Sequence, residues 1–285
     1  MNTKPLTATL LVGLFLTSTA GQATGFVKLP ATGFTIKGGI SAYIGCNLTG
    51  NFGTNPNGST PPSFSPANGA NNFCAIPSIT PPMTGYQQTA TTVRNLVMNN
   101  AYTLRQPITV GTLTDTVWRK DKQCIYGTKI RLNNVDYDRR AVSPGFQYFE
   151  INDVLRGGLK TSAPLSIAYH YTTLGSIASD EVLYRAGLTY TSIVFQPGNL
   201  TRRPLTSLAP LSPNWVDFTT DINFRDDDGS SVRDSPWLLI KGSCTSTAPK
   251  QLAGALLFRQ MGQEEQPLIE ISTDAYAPSE GTIAP

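Results

Sequence analysis

The chain has 285 residues, with 22 Lys and Arg against 19 Asp and Glu, a formal charge of +3 and a single histidine. That near balance, with no basic block beyond Arg139-Arg140 and Arg202-Arg203, argues against a nucleic-acid partner. The lone histidine and the lack of a glycine-rich phosphate loop leave little machinery for imidazole or nucleotide-cofactor chemistry.

Residues 1–23 read as a secretory signal: one basic residue, Lys4, then an apolar stretch centred on Leu10–Leu16, then small residues. Ser18 and Ala20 suit a cut after Ala20, and Gly21 and Ala23 suit a cut after Ala23, which is preferred. The mature chain then carries 21 basic against 19 acidic residues, a charge of +2. No cysteine follows either cut, so a lipid anchor is not expected. No later stretch reaches the roughly 18 apolar residues of a spanning helix, and the alternating strands of an outer-membrane barrel are too few. The expectation is an exported protein without a membrane span, in the medium, at the cell surface or in the periplasm.

Residues 24–90 combine short strands with a long irregular region. GFTIKGGISAYIGC suggests two strands broken at Gly38-Gly39. Residues 47–85 are dominated by Asn, Gly, Pro and Ser and contain no charge, so they cannot bury enough apolar surface to fold alone. Four cysteines in an exported chain point to two disulfides, although three pairings are open. The expected pairs are Cys46–Cys74, which would pin the irregular region and stabilise it by about 3 kcal/mol, and Cys124–Cys244, which would join two strands. Zinc is disfavoured, because no two cysteines have CxxC spacing.

Residues 91–275 form the main β domain and residues 276–285 a flexible tail. The segments TLTDTVWR, CIYGTKIRL, GFQYFEIND, PLSIAYHYTTL, EVLYRAGLTYTSIVF, WVDFTTDINF, PWLLIKGSC and PLIEISTDAY are rich in Val, Ile, Thr and aromatics and are separated by turn residues. TATTVRNLVMNN and QLAGALLFRQM read equally well as helix or strand. No repeat of 20 to 50 residues occurs. The fold class expected is all-β: an antiparallel sandwich or jelly roll, with a disulfide-pinned irregular region near its N-terminus.

Two acidic runs are candidate calcium sites. In NFRDDDGSSVRD, the side chains of Asp226, Asp228, Ser230 and Asp234 could ligate. With Gly229 as the sharp-turn residue, however, the first ligand of an EF-hand would be Phe224, and Arg225 and Arg233 could neutralise the cluster. A hairpin turn at Asp228-Gly229 is the simpler reading. In NNVDYDRR, Asn134, Asp136 and Asp138 alternate, but Arg139 stands where a glycine should be. The two half-sites make a calcium site only if the fold brings them together.

His170 is expected on an exposed strand face rather than in a catalytic site, and no GxSxG elbow accompanies it. Glu150 with Asp153, or Asp180 with Glu181, could supply the carboxylates of a glycoside hydrolase. Glu150 is read as half-buried, with Arg156 or Arg185 as a salt-bridge partner. Trp118, Trp215 and Trp237 are read as core, and Tyr137, Tyr169, Tyr171 and Tyr190 as freer. Sequons begin at Asn47, Asn57 and Asn199, and carry no meaning in a bacterial host. The leading functional expectation is a non-enzymatic surface or matrix component that binds a surface polymer or glycan or assembles with itself. Behind it stand a calcium-stabilised carbohydrate-binding module and a secreted carboxylate hydrolase.

Overall fold

The computed structural model describes residues 25–36, 39–46, 80–143, 145–159, 164–172, 184–190, 210–225, 232–245, 248–261 and 266–283. The signal segment, Cys74 and hence the Cys46–Cys74 pairing, the three sequons, Asp180 and Glu181 lie outside the described residues.

The protein is all-β, and its antiparallel strands form a sandwich. Fourteen strands are described: β1 (Val27–Leu29), β2 (Phe34–Ile36), β3 (Gly39–Ser41), β4 (Tyr43–Cys46), β5 (Gln87–Met98), β6 (Ile108–Lys120), β7 (Gln123–Leu132), β8 (Ile151–Gly157), β9 (Leu165–His170), β10 (Tyr184–Gly187), β11 (Trp215–Ile222), β12 (Trp237–Ser243), β13 (Lys250–Met261) and β14 (Leu268–Ala277). Sheet 1 runs β1-β9-β12-β7-β6-β5 and sheet 2 runs β14-β13-β8-β11-β10-β4, while β2 and β3 pair as a separate ribbon.

The two ambiguous segments are strands β5 and β13, where β-branched residues and cross-strand pairing override a weak helical period. GFQYFEIND yields a strand only from Ile151, because Asp136 and Tyr137 draw Gln147 into the preceding loop. The strands before residue 90 are built into the sandwich, since β1 pairs β9 and β4 pairs β10. DINF and PWLLIKGSC do not make a hairpin: β11 belongs to sheet 2 and β12 to sheet 1, so the acidic connection crosses between sheets. Beyond β14, Ile283 packs against the apolar clusters.

The inter-sheet core is apolar, with Leu113, Val117, Ile130, Val154, Ile167, Phe218 and Phe258 among its buried members. Within it lies a buried ion pair. Arg156 of β8 reaches from sheet 2 to donate through Nη2 to Asp115 Oδ1 of β6 at 2.8 Å and through Nη1 to Thr128 Oγ1 of β7 at 2.7 Å. The same Nη2 donates to the Tyr276 carbonyl at 2.7 Å, and the Tyr276 amide donates to Asp115 Oδ2 at 2.6 Å. Arg156 and Asp115 are both fully buried.

The expected disulfide Cys124–Cys244 is present, with Cα atoms 5.6 Å apart and a sequence separation of 120. It staples the start of β7 to the end of β12, strands already paired through Gly242 and Cys124. Closing so long a loop restricts the unfolded chain by up to about 4–5 kcal/mol.

The outer faces carry apolar clusters too. On sheet 1, Ile125, Ala168 and Leu239 pack beneath Phe26, Met83, Tyr86, Trp118 and Trp237. The Trp118 indole lies over Gly127, where a Cβ would stand 2.5 Å from the ring, and meets Trp237 edge to face at 5.1 Å. On sheet 2, Leu155, Trp215 and Leu257 form a similar cluster. The three tryptophans therefore pack, but on the outer faces.

Arg156→Leu should leave Asp115 buried and uncompensated, a cost of roughly 3–5 kcal/mol in chemical denaturation. Adding Asp115→Asn to that variant should recover much of the loss. Equal stability of the single variant and the parent protein would mean that the pair contributes nothing.

Candidate functional site

Two regions concentrate polar chemistry: the loop end of the sandwich and the outer face of sheet 2. The loop end contains the turn between β5 and β6, the 133–150 loop and the beginning of the β11–β12 connection. Asp136 Oδ1 accepts from the amides of Asp138 at 3.0 Å and Gln147 at 3.1 Å. Asp138 is buried and accepts from the Arg140 amide, from its Nε at 2.8 Å and from its Nη2 at 2.6 Å. Hydrogen bonding by Arg140 holds the Asp138 carboxyl below the usual carboxylate range. The alternating acids of NNVDYD thus turn the chain on itself, an Asx-type role, and Arg140 is the clamp. Arg140 also lies 4.2 Å over the Tyr102 ring, and the Arg139 amide donates to the Tyr102 carbonyl. Tyr137 hydroxyl accepts from Gln260 at 3.1 Å, and burial pushes its pKa up to about 12.

Phe224, at the base of the connection that carries the second acidic run, lies beside the 133–150 loop. Tyr148 stacks on Phe224 with centroids 5.7 Å apart, and Phe146 lies 5.1 Å from Tyr148. Asn223 donates to the Val232 carbonyl and closes the base of the connection. Asp234 bridges to Arg131 at 3.5 Å and Arg233 at 3.6 Å. Asp226, Asp228 and Ser230 lie outside the described residues, and Asn134 is exposed. Among the described residues no group of three or more His, Cys, Asp or Glu side chains could hold a metal.

This end also leaves large apolar side chains in water: Val142 is 79 % exposed, Phe146 60 % and Leu104 56 %. Leu104 and its neighbour Arg105 both take positive φ, 51° and 61°, a strained conformation for side-chain-bearing residues. The Asn100 carboxamide stabilises the turn by accepting from the amides of Tyr102 and Thr103.

The second region was not anticipated. Across the outer face of sheet 2, pairing aligns Tyr43 of β4, Gly187 of β10, Asp217 of β11 and Leu155 of β8 in one row. Thr219, Asp153, Arg259 and Glu270 fall in a neighbouring row. Tyr43 reaches past Gly187 to donate to Asp217 Oδ2 at 2.8 Å. Glycine is required there because a Cβ would stand 2.1 Å from the Ala42 carbonyl oxygen.

Asp217 is fully buried, and among the described residues its Oδ1 has no hydrogen-bond partner. Burial first, and then the nearby Asp153 carboxylate, push its carboxyl well above the usual range, against the pull of Tyr43, Arg259 and Arg185. Tyr43 is raised as well, chiefly by burial and then by Asp217. Arg259 is fixed by Glu270 at 2.6 Å and by the Tyr190 carbonyl at 2.7 Å. The sequence signal for this site was Asp217 at the third position of WVDFTTDINF, an acid inside a run that is buried on both faces.

Asp153 pairs across the sheet with Thr219 and Arg259, and its charge acts on the nearby Asp217. Glu150 is instead buried among amides, accepting from Asn152 and, at 2.7 Å, from Gln266. Of the two arginines expected beside Glu150, Arg156 bonds Asp115 and Arg185 lies over Tyr43 at 5.7 Å. His170 is buried opposite Trp237 at the end of β9, because the outer face of sheet 1 is covered there. Tyr137, Tyr169 and Tyr171 are likewise buried, whereas Tyr190 is exposed.

Asp217→Asn should raise the melting temperature at pH 8 and do less at pH 4. The raised carboxyl contributes stability that is complete below its unfolded pKa of about 3.9 and lost as pH rises through its folded pKa. The neutral amide removes that loss while still accepting from Tyr43. A uniform drop across pH would show that the ionised carboxylate is the native form. Asp138→Asn should act oppositely, destabilising most above the carboxylate range, where the Arg140 clamp is fully charged; thermal melts from pH 3 to 8 read both effects. No family model matches the chain, and neither does any curated protein or solved structure.

Proposed function

We propose that the chain is an exported, non-enzymatic β-sandwich that works at the cell surface or in an extracellular matrix, binding a surface polymer or glycan through its loop end. The observation that carries this reading is Phe146, 60 % exposed on a loop whose backbone is fixed by Asp136 and Asp138. The pinned loop holds this ring against Tyr148 and leaves most of it in water. Rigid aromatics at such positions are docking groups with little ordering entropy left to lose. Tyr148, backed by Phe224, orients the row, and the exposed Arg139 adds donors beside it.

A calcium-stabilised carbohydrate-binding module is the second reading, favoured by the proximity of the loops carrying the two acidic runs. It requires Asp136 and Asp138 to give up backbone amides and Arg140 in exchange for a cation. The hydrolase reading rests on Glu150 with Asp153, both buried, or on Asp180 with Glu181, which lie outside the described residues.

Phe146→Ala should reduce retention of the mature protein on purified envelope polysaccharide several-fold, while its melting temperature stays within a degree or two of the parent. Unchanged retention would remove the loop end as the binding surface. Melting curves in calcium and in chelator should coincide, and a higher midpoint in calcium would favour the module.

A further inference from the structure

Among the described residues the two six-stranded sheets have four edges, of which one is both long and nearly free of charge. β1 and β4 offer three and four residues, and β14 carries Glu270 and Asp274. β5 offers twelve, QQTATTVRNLVM, with no proline, glycine, lysine or acid. Among the described residues it is paired on one side only, to β6. Natural sheet edges are normally blunted by charge, proline or brevity. The single charge here, Arg94, is directed to Gln251 of sheet 2, donating through Nη2 at 3.0 Å.

The register narrows the usable edge. Shifts in the β5–β6 pairing occur between Gln88 and Ala90 and between Leu96 and Val97, so Ala90–Leu96 is the uninterrupted run. Its central residue is Val93, which is 66 % exposed. The Thr91 carbonyl is reached by the Tyr276 hydroxyl at 3.4 Å from outside the β5–β6 pair. By strand alternation the backbone groups of Val93 and Asn95 point the same way.

We propose that β5 is a self-pairing edge: two copies of this chain join their first sheets through antiparallel β5–β5 pairing about a two-fold axis at Val93. Val93 then opposes Val93 of the second copy, Thr91 opposes Asn95, and Ala90 opposes Leu96. Arg94 meets Thr92 rather than another arginine, so no like charges are directly opposed. Such a two-fold contact is closed, using one patch on both copies. The exposed Tyr276 hydroxyl gives way to the Asn95 amide of the second copy. The inference rests on the reading of the chain as a surface component and assigns it an assembly mode distinct from the polymer-binding loop end.

The test uses the mature full chain. Sedimentation over a concentration series should show dimers, and Val93→Arg, which sets two arginines against each other, should weaken association at least about tenfold. Under mild oxidation Val93→Cys should form a cross-linked dimer on non-reducing gels, whereas Thr91→Cys and Asn95→Cys alone should not, because each opposes the other residue. A parent protein that sediments as a monomer throughout overturns the proposal. So do equal cross-linking of all three cysteine variants and dimers untouched by Val93→Arg. Retention of Val93→Arg on polysaccharide separates the two readings: loss of dimers with retained binding supports both, and binding without dimers in the parent removes only the edge.

Discussion

The guanidinium of Arg156 is the contact on which the two sheets converge. It originates on β8 in the middle of sheet 2 and binds side chains from β6 and β7 of sheet 1 and a backbone carbonyl of β14. Apolar packing between sheets tolerates sliding, because methyl groups have no directional preference. A buried charge does not, since every displacement leaves a desolvated group without compensation. Asp115 completes the lock by taking the Tyr276 amide as well, so the C-terminal strand is keyed to β6 by the same pair that joins the sheets. The Tyr126 ring, 5.6 Å from the guanidinium, adds a face that accepts positive charge.

That arrangement explains which parts of the fold were legible. Strand positions followed from β-branched and aromatic runs between turn residues; the even cysteine count pointed to disulfides but left three pairings open, and Cys124–Cys244 was preferred because it would join two strands. Burial was less legible, because both sheets are covered on part of their outer surface. The alternation of LSIAYHYTT places Ile167 and Tyr169 toward the inter-sheet core, yet Ala168 and His170, on the other parity, are buried under a second layer. A two-residue period reports two faces and does not say that one of them is wet. The same blindness hid Asp217, an acid buried on the outer face of sheet 2, where Tyr43 of β4 donates to it.

The acidic motifs failed to announce their role for a different reason. DxD spacing suits a metal because alternate carboxylates can converge, but the same spacing suits Asx turns, in which each carboxylate takes the amide two residues on. In NNVDYDRR the second use is realised by Asp136 and Asp138, and the decisive residue is Arg140, which lies outside the motif. Arg139, read as an obstacle in the place of a glycine, instead donates its amide to Tyr102 and ties the loop to the β5–β6 turn. A motif made of hydrogen-bond acceptors specifies that something will be bound. Whether that is a cation or the chain itself depends on which donors the neighbouring sequence brings.

The geometry of β5 connects the two surfaces of the molecule. The strand ends at Met98, and the chain passes directly into the turn containing Tyr102 and Leu104 at the loop end. Pairing two antiparallel β5 strands therefore reverses one copy relative to the other and sends the two loop ends in opposite directions. Phe146 of each copy remains as exposed as in the monomer, because edge pairing consumes backbone groups along the side of the sheet and leaves its ends free. The proposed dimer presents two aromatic ends facing away from each other, and bivalence raises effective concentration only where both ends can engage at once. Opposed ends cannot grip one small ligand together, but they can bridge two strands of a polymer, which is the mechanical task of a matrix component.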